Sequence, residues 1–275
     1  MAAPDHAAVS ATLARAGCVA SEEEAAELIE AAAGDQGRLA AFVERRVSGE
    51  PTAWIVGQVR FCGLEVRVHP GVYVPRWQTE PLAERAVALL PEEGVAVDVC
   101  TGSGAIAVVL REHRPGARVL GTDTDPAAVA CARDNGVEVY LGDLMDPVPE
   151  ALAGRVDVVT GVVPYVPTDE LRLLARDVLA FEPLSALDGG PGGMRHLVRA
   201  AQAASNWLRP GGALLLELGG DQGDELTRRC QRLGFGAVSL SRDDDGEVRS
   251  IEARWSAGGQ GHGLGRGGAK REGRS

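Results

Sequence analysis

The residues best suited to chemistry lie in residues 95–110, VAVDVCTGSGAIAVVL. Asp98 stands inside an alternating apolar run, Val95, Val97 and Val99, which ends in the small-residue turn Thr101-Gly102-Ser103-Gly104. Apolar residues then recur at helical spacing, at Ile106, Val109 and Leu110. A strand, a glycine turn and a helix in that order are how a doubly wound sheet presents its first strand to a nucleotide-like ligand. Gly102 and Gly104 let the backbone turn sharply and let a ligand come close, and the helix beyond aims free N–H groups at it. A pyrophosphate site wants a third glycine, and that position is Ala107. Asp123 closes the next apolar run, where a carboxylate can accept both hydroxyls of a ribose. Asp143, after a third run, can accept from an adenine amino group or cap a helix. A fourth run delivers Gly161-Val162-Val163-Pro164-Tyr165-Val166-Pro167. Its two prolines hold the backbone extended, and Tyr165 offers a flat ring.

These residues reach one edge only if the chain folds as a mainly parallel sheet with helices on both faces. The pattern predicts strands over 95–100, 118–122, 138–141, 156–163, 213–218, 237–240 and 248–255, with helices over 126–135, 196–208 and 222–233 among the connections. Arg209-Pro210-Gly211-Gly212 reads as the turn before the fifth strand, and the short connection 241–247 predicts an antiparallel hairpin for the last two. Residues 1–48 predict a helical cap. In it Ser21, with Glu24 three residues on, reads as a capping box, and Gly34 reads as a C-cap. Residues 49–80 predict a β-hairpin, 53–61 with 64–68, followed by a lip, and residues 81–255 form the core domain. Residues 256–275 are glycine-rich and predict a disordered tail.

Composition narrows the class. The 275 residues carry 28 Lys and Arg against 39 Asp and Glu, a net charge of −11, which disfavours a phosphate backbone as partner. Five cysteines, with no C-x-x-C pair, fit free thiols in a reducing cytoplasm better than disulfides or zinc. The five histidines show no metal-ligand spacing. No apolar run reaches transmembrane length, and the first residues lack a signal-peptide pattern.

The pattern Asp98-x-x-x-Gly102-x-Gly104, followed by Asp123, resembles motif I and its acidic partner in class I S-adenosylmethionine (SAM) methyltransferases. The resemblance implies an α/β, Rossmann-like, seven-stranded, mostly parallel sheet. It also implies a SAM site formed by Asp98, Cys100, Thr101, Gly102, Ser103, Gly104, Asp123, Asp143, Leu144 and Val162, with S-adenosylhomocysteine as product. From about residue 20 to 255 the chain is similar to the HemK-type protein N(5)-glutamine methyltransferases, which methylate the GGQ glutamine of class I peptide-chain release factors. The likeness is carried by Gly49-Glu50-Pro51, by Pro75, Arg76, Thr79 and Glu80, and by the Pro164–Pro167 loop. Phe181-Glu182-Pro183, Ala186-Leu187-Asp188-Gly189-Gly190 and Gly211-Gly212-Ala213-Leu214-Leu215-Leu216-Glu217 extend it. It implies a cytoplasmic enzyme, favoured as a monomer, that binds a release factor rather than nucleic acid or membrane. Val162, Val163, Pro164 and Tyr165 would then form its catalytic loop.

Two departures matter. The family loop is N-P-P-Y or N-A-P-Y, and Val162 replaces its Asn. In the family the Asn oxygen and the next backbone carbonyl hold the two amide hydrogens, which aims a poorly nucleophilic nitrogen at the methyl group. Val162 accepts no hydrogen bond, a loss of ~1–3 kcal/mol, or about one to two decades in rate if it acts at the transition state. Cys100 stands where the family usually has Gly, a milder change. The rivals are an adenine-N6 nucleic-acid methyltransferase, a small-molecule methyltransferase that tolerates Val162, and a SAM-binding pseudoenzyme. The tail tripeptide Gly258-Gly259-Gln260 repeats the family's target motif, and reads as coincidence in a glycine-rich segment.

Overall fold

The computed structural model describes residues 5–256. Residues 257–275, the GGQ tripeptide included, lie outside the described residues, so the expected disorder of the tail is not addressed by them. Helices α1 (His6–Arg15), α2 (Ser21–Ala32), α3 (Gln36–Val47) and α4 (Thr52–Val56) form the cap. Its interior is Leu13, Leu28, Leu39, Phe42 and Ile55. The expected capping box at Ser21 does not form. Ala20 is the N-cap, and the Ser21 hydroxyl lies 3.4 Å from that of Ser10. Glu24 instead receives Arg46 Nε at 2.6 Å. Arg46 is buried, and a buried guanidinium claims a carboxylate more strongly than a backbone N–H does. The end of α2 also differs from expectation, since Ala33 takes the left-handed C-cap position ahead of Gly34.

A second correction concerns 53–56, which forms α4 rather than strand. Ala53, Trp54 and Ile55 are all buried, in consecutive positions that a strand with one wet face cannot bury together. Gly57 ends α4 at φ 86°, donating its N–H to the Ala53 carbonyl. The hairpin is therefore shorter, with β1 (Gln58–Phe61) antiparallel to β2 (Leu64–Arg67). Its turn, Cys62-Gly63, has positive φ at both residues, as a tight hairpin of the right twist requires.

Helix α5 (Glu80–Leu89) leads into the core: β3 (Val95–Val99), α6 (Ala105–His113), β4 (Arg118–Asp123), α7 (Pro126–Asp134), β5 (Glu138–Leu141) and β6 (Val156–Gly161). Next come α8 (Arg176–Phe181), α9 (Met194–Ser205), β7 (Leu208–Glu217), α10 (Gln222–Leu233), β8 (Phe235–Arg242) and β9 (Val248–Trp255). The sheet order is β5-β4-β3-β6-β7-β9-β8, with β9 antiparallel to both neighbours and the other pairs parallel. Both faces are covered, and the strands sort their side chains with period two. Val97, Val99, Val159, Leu214 and Leu216 enter one core, while Ala96, Val158, Ala213 and Leu215 enter the other. The 209–212 turn proves to be an irregularity within β7, whose register on β6 shifts between Leu208 and Ala213. The strand order reverses between the parallel neighbours β3 and β6, which opens a crevice beyond their carboxyl ends.

Candidate cofactor and acceptor site

The glycine turn after β3 is pinned from behind. Asp98 is buried and accepts from Thr101 Oγ1 at 2.6 Å and from Thr160 Oγ1 at 2.7 Å, which ties the turn to β6. Burial raises its carboxyl pKa to about 6 against the pull of those two hydroxyls. The Thr101 N–H reaches the Thr122 carbonyl at 3.0 Å, adding β4 to the same joint. Cys100 bends the chain at φ 53°, a left-handed conformation that suits glycine and explains why this departure is awkward for the backbone. Gly104, at φ 84°, caps α6. A Cβ there would lie 2.9 Å from Val137 Cγ2 and 3.2 Å from Ala132 Cβ, so a side chain would push α6 off α7. Gly102 has open space where its Cβ would be. Its N–H donates to Asp123 Oδ2 at 2.9 Å, and Asp125 N–H donates to Oδ1 at 2.9 Å. Those bonds fix the carboxylate while burial pushes its pKa up.

The loop after β6 is held at Tyr165. The phenol donates to Glu217 Oε1 at 2.8 Å, and Glu217 Oε2 accepts from Thr79 Oγ1 at 2.5 Å. Gln222 Nε2 donates to the Tyr165 carbonyl at 2.7 Å and to the Gly192 carbonyl at 3.1 Å, while its Oε1 accepts from Gly219 N–H. Val166 exchanges backbone bonds with Leu187 and Gly189, and Asp188 accepts from Thr168 and from Gly190 N–H. The 186–190 motif is thus a clamp on the loop, and Asp188 belongs to it. Burial raises the pKa values of both Glu217 and Tyr165.

One cavity of about 250 Å³ joins the two regions. Its walls include Asp98, Cys100, Thr101, Gly102, Ser103, Asp123, Asp143 and Leu144 on the glycine-turn side, and Val162 and Pro164 on the loop side. Gly104, Val163 and Tyr165 stand outside the lining. Val163 is in the core, and Tyr165 turns its hydroxyl to Glu217. Asp143 caps no helix and pairs with Arg199 of α9 at 2.5 Å. Tyr73 of the expected lip lines the cavity, and so do Arg199, His196 and Phe61, which no local pattern marked as site residues. The lip residues divide their tasks. Arg76 pairs with buried Glu182 and stacks over Tyr73, and Glu80 accepts from Cys62 N–H at 2.9 Å. Trp77 is 72% exposed. The turn fits SAM by its own features: a wall without a Cβ at Gly102 and a fixed carboxylate at Asp123.

A seven-stranded, mostly parallel sheet with this glycine turn, this acid at the end of the second strand and a cavity across their carboxyl ends is the fold and site of a class I SAM-dependent methyltransferase. No family model matches the chain. A release factor glutamine methyltransferase from Mycolicibacterium smegmatis is 42% identical over 233 residues, 76% of this chain and 82% of that protein. Another, from Geobacter sulfurreducens, is 35% identical over 219 residues, 78% of this chain and 76% of that protein. The chain belongs to the release factor glutamine methyltransferase family. A 4-amino-L-phenylalanine/4-methylamino-L-phenylalanine methyltransferase from Streptomyces pristinaespiralis is 39% identical over 192 residues, 66% of this chain and 65% of that protein. Among the described residues no helix is long and apolar enough to cross a membrane.

Proposed function

We propose that this protein transfers the methyl group of SAM to the side-chain amide nitrogen of a protein glutamine, and that its acceptor is the GGQ glutamine of a class I peptide-chain release factor. The observation that supports this reading is the single cavity with the glycine turn and Asp123 on one wall and Val162 and Pro164 on another, in a chain of this family. SAM, when bound, supplies a methyl group on a cationic sulfur. Asp123 would accept its ribose hydroxyls. Thr101, Gly102 and Ser103 would line its path, with Leu144 and Val162 as apolar walls and Asp143 near the base. Asp98, Cys100 and Gly104 act on the turn itself. On the acceptor side the Val163 carbonyl would hold one amide hydrogen, and Pro164 and Tyr165 would keep that carbonyl in place. Val162 offers no oxygen for the second hydrogen, so the expected rate lies below that of an Asn-bearing loop. The enzyme is read as a cytoplasmic monomer that binds neither nucleic acid nor membrane, in keeping with its net charge of −11.

Val162 favours one second reading. An arylamine nitrogen keeps more of its lone pair than a carboxamide does and needs less help from a side-chain acceptor. A relative that by name methylates 4-amino-L-phenylalanine lies at 39% identity. Methyl transfer from labelled SAM to a purified release factor, read by mass spectrometry of the GGQ peptide, tests the first reading. Transfer to 4-amino-L-phenylalanine is measured beside it, and SAM binding is measured calorimetrically on the same preparation. A modified glutamine is the expected result. SAM binding with transfer only to the arylamine would replace the first reading by the second.

A further inference from the structure

The acceptor side holds a buried carboxylate at the end of β7. Glu217 is 4% exposed and accepts from two hydroxyls on segments far apart in the chain. Its Oε2 takes Thr79, from the lip that precedes α5, and its Oε1 takes Tyr165, from the loop that follows β6. Thr79 lines the cavity, and so does Pro164, the neighbour of Tyr165. Two of the cavity walls thus meet at one side chain that does not itself line the cavity. We propose that Glu217 is the positioning residue of this site, holding the lip and the catalytic loop in a common register so that the Val163 carbonyl faces the acceptor nitrogen.

The chemistry of the pair selects a carboxylate. Two hydroxyl donors converge on one group, so that group needs two acceptor atoms about 2 Å apart in a plane, which a carboxylate supplies. A glutamine at this position keeps one acceptor for the tyrosine, and its amide N–H can donate to the threonine hydroxyl, which accepts as readily as it donates. Positioning therefore survives Glu217→Gln, whereas a role that needs the negative charge or a proton does not. The partner groups hold Tyr165 from its other end through Gln222, so loss of the Glu217 contact frees the ring while the backbone tie remains. A loop displaced by about an ångström is enough to cost on the order of 100-fold in a reaction that depends on aim.

This inference rests on the methyltransferase reading, and its test has one arm that does not depend on the acceptor. Wild type, Glu217→Ala, Glu217→Gln and Tyr165→Phe are compared for kcat, for KM toward release factor and for SAM affinity. Hydrogen exchange of the full chain is followed over residues 76–82, 98–104 and 161–168. Glu217→Ala is expected to lower kcat on the order of 10–100-fold with SAM affinity unchanged. It should speed exchange in 76–82 and 161–168 and leave 98–104 as in wild type. Glu217→Gln is expected to restore both measures to within about threefold, and Tyr165→Phe to repeat the exchange change in 161–168 alone. Equal losses in the Ala and Gln variants, or exchange in both segments unchanged by Glu217→Ala, would overturn the proposal. If Glu217→Ala fails to fold, the Gln variant decides, since a loss of about tenfold or more in kcat with Glu217→Gln refutes positioning. A wild type that binds SAM without modifying release factor would count against the acceptor assignment, and the exchange result would still judge the joint.

Discussion

On the proposed reading, replacing Val162 by Asn restores the one oxygen that the acceptor loop lacks. Val162 is half-buried, lines the cavity and packs at the edge of the core formed by α5, α6 and the β3 face. The two side chains are close in volume, so the exchange leaves the loop room to keep its path. Removing two half-buried methyl groups costs about 1 kcal/mol of stability, a fall of roughly 2–4 °C in melting temperature for a domain of this size. The expected gain lies in the reaction. A hydrogen bond to an otherwise unpaired amide N–H is worth about 1–3 kcal/mol, which is roughly 5- to 150-fold at 1.36 kcal/mol per decade. An acceptor that engages only as the amide nitrogen gathers its lone pair raises kcat and leaves KM near its wild-type value. The assay is steady-state transfer of labelled methyl to purified release factor, with kcat and KM separated. Val162→Thr, nearly isosteric and carrying a weaker acceptor, should fall between the two, and Val162→Leu should show no gain. A folded Val162→Asn variant with wild-type SAM affinity and less than about a threefold rise in kcat would refute the reasoning.

Other substitutions probe the scaffold. The Asp98 carboxyl has its pKa raised from 3.8 to about 6, so the folded state holds this proton more tightly than the unfolded chain. Its contribution to stability is therefore greatest below pH 3.8 and declines as pH rises through about 6, by about 3 kcal/mol in all. Asp98→Asn should remove that decline in the SAM-free protein, and urea midpoints that fall in parallel for both proteins from pH 5 to 8 would contradict it. Cys100→Gly should stabilise by about 0.5–1 kcal/mol, because the φ of 53° costs an L-residue more than the added freedom of glycine costs the folded state; a lower urea midpoint would speak against this. Gly193→Ala would put a Cβ 1.9 Å from the Tyr165 carbonyl oxygen and 2.2 Å from Gln222 Nε2, at a φ of 70°. Gly192→Ala meets open space at a φ of 61°. The first should cost more than about 2 kcal/mol and most of the activity, the second about 1 kcal/mol and little activity; equal effects on methyl transfer would sink the clamp argument.

The glycine-turn wall of the cavity was legible in the sequence because backbone geometry builds it. Gly102, Gly104, Asp98 and Asp123 are separated by spacings that a strand, a turn and a helix convert directly into positions, and the sheet order follows from the alternation of elements. Polar residues whose partners lie far along the chain were not legible. Glu217 is 138 residues from Thr79 and 52 from Tyr165, so neither bond leaves a local pattern. Arg76 and Glu182, 106 residues apart, are the same case. The capping box at Ser21 failed for that reason too, since Glu24 had a better partner in Arg46, 22 residues on. The helix α4 was missed because its apolar run is short, and a short run carries no period that separates helix from strand.

The placement of Val162 explains how the residue at this position can change without harm to the fold. β6 ends at Gly161, and Val163 already sinks into the core, so position 162 is the single loop residue whose side chain faces the cavity between the strand and Pro164. The ties that hold the turn run through Asp98, Thr101, Thr160 and Asp123. The ties that hold the loop run through Tyr165, Glu217 and Gln222. None of these bonds uses the side chain at 162. A substitution there changes what the cavity offers an acceptor nitrogen while both frames stay as they are, so the variant loop keeps its shape and alters its chemistry. That separation is why the exchange of Val162 for Asn reads on catalysis, whereas exchanges at Glu217 or Gly193 read on the position of the loop.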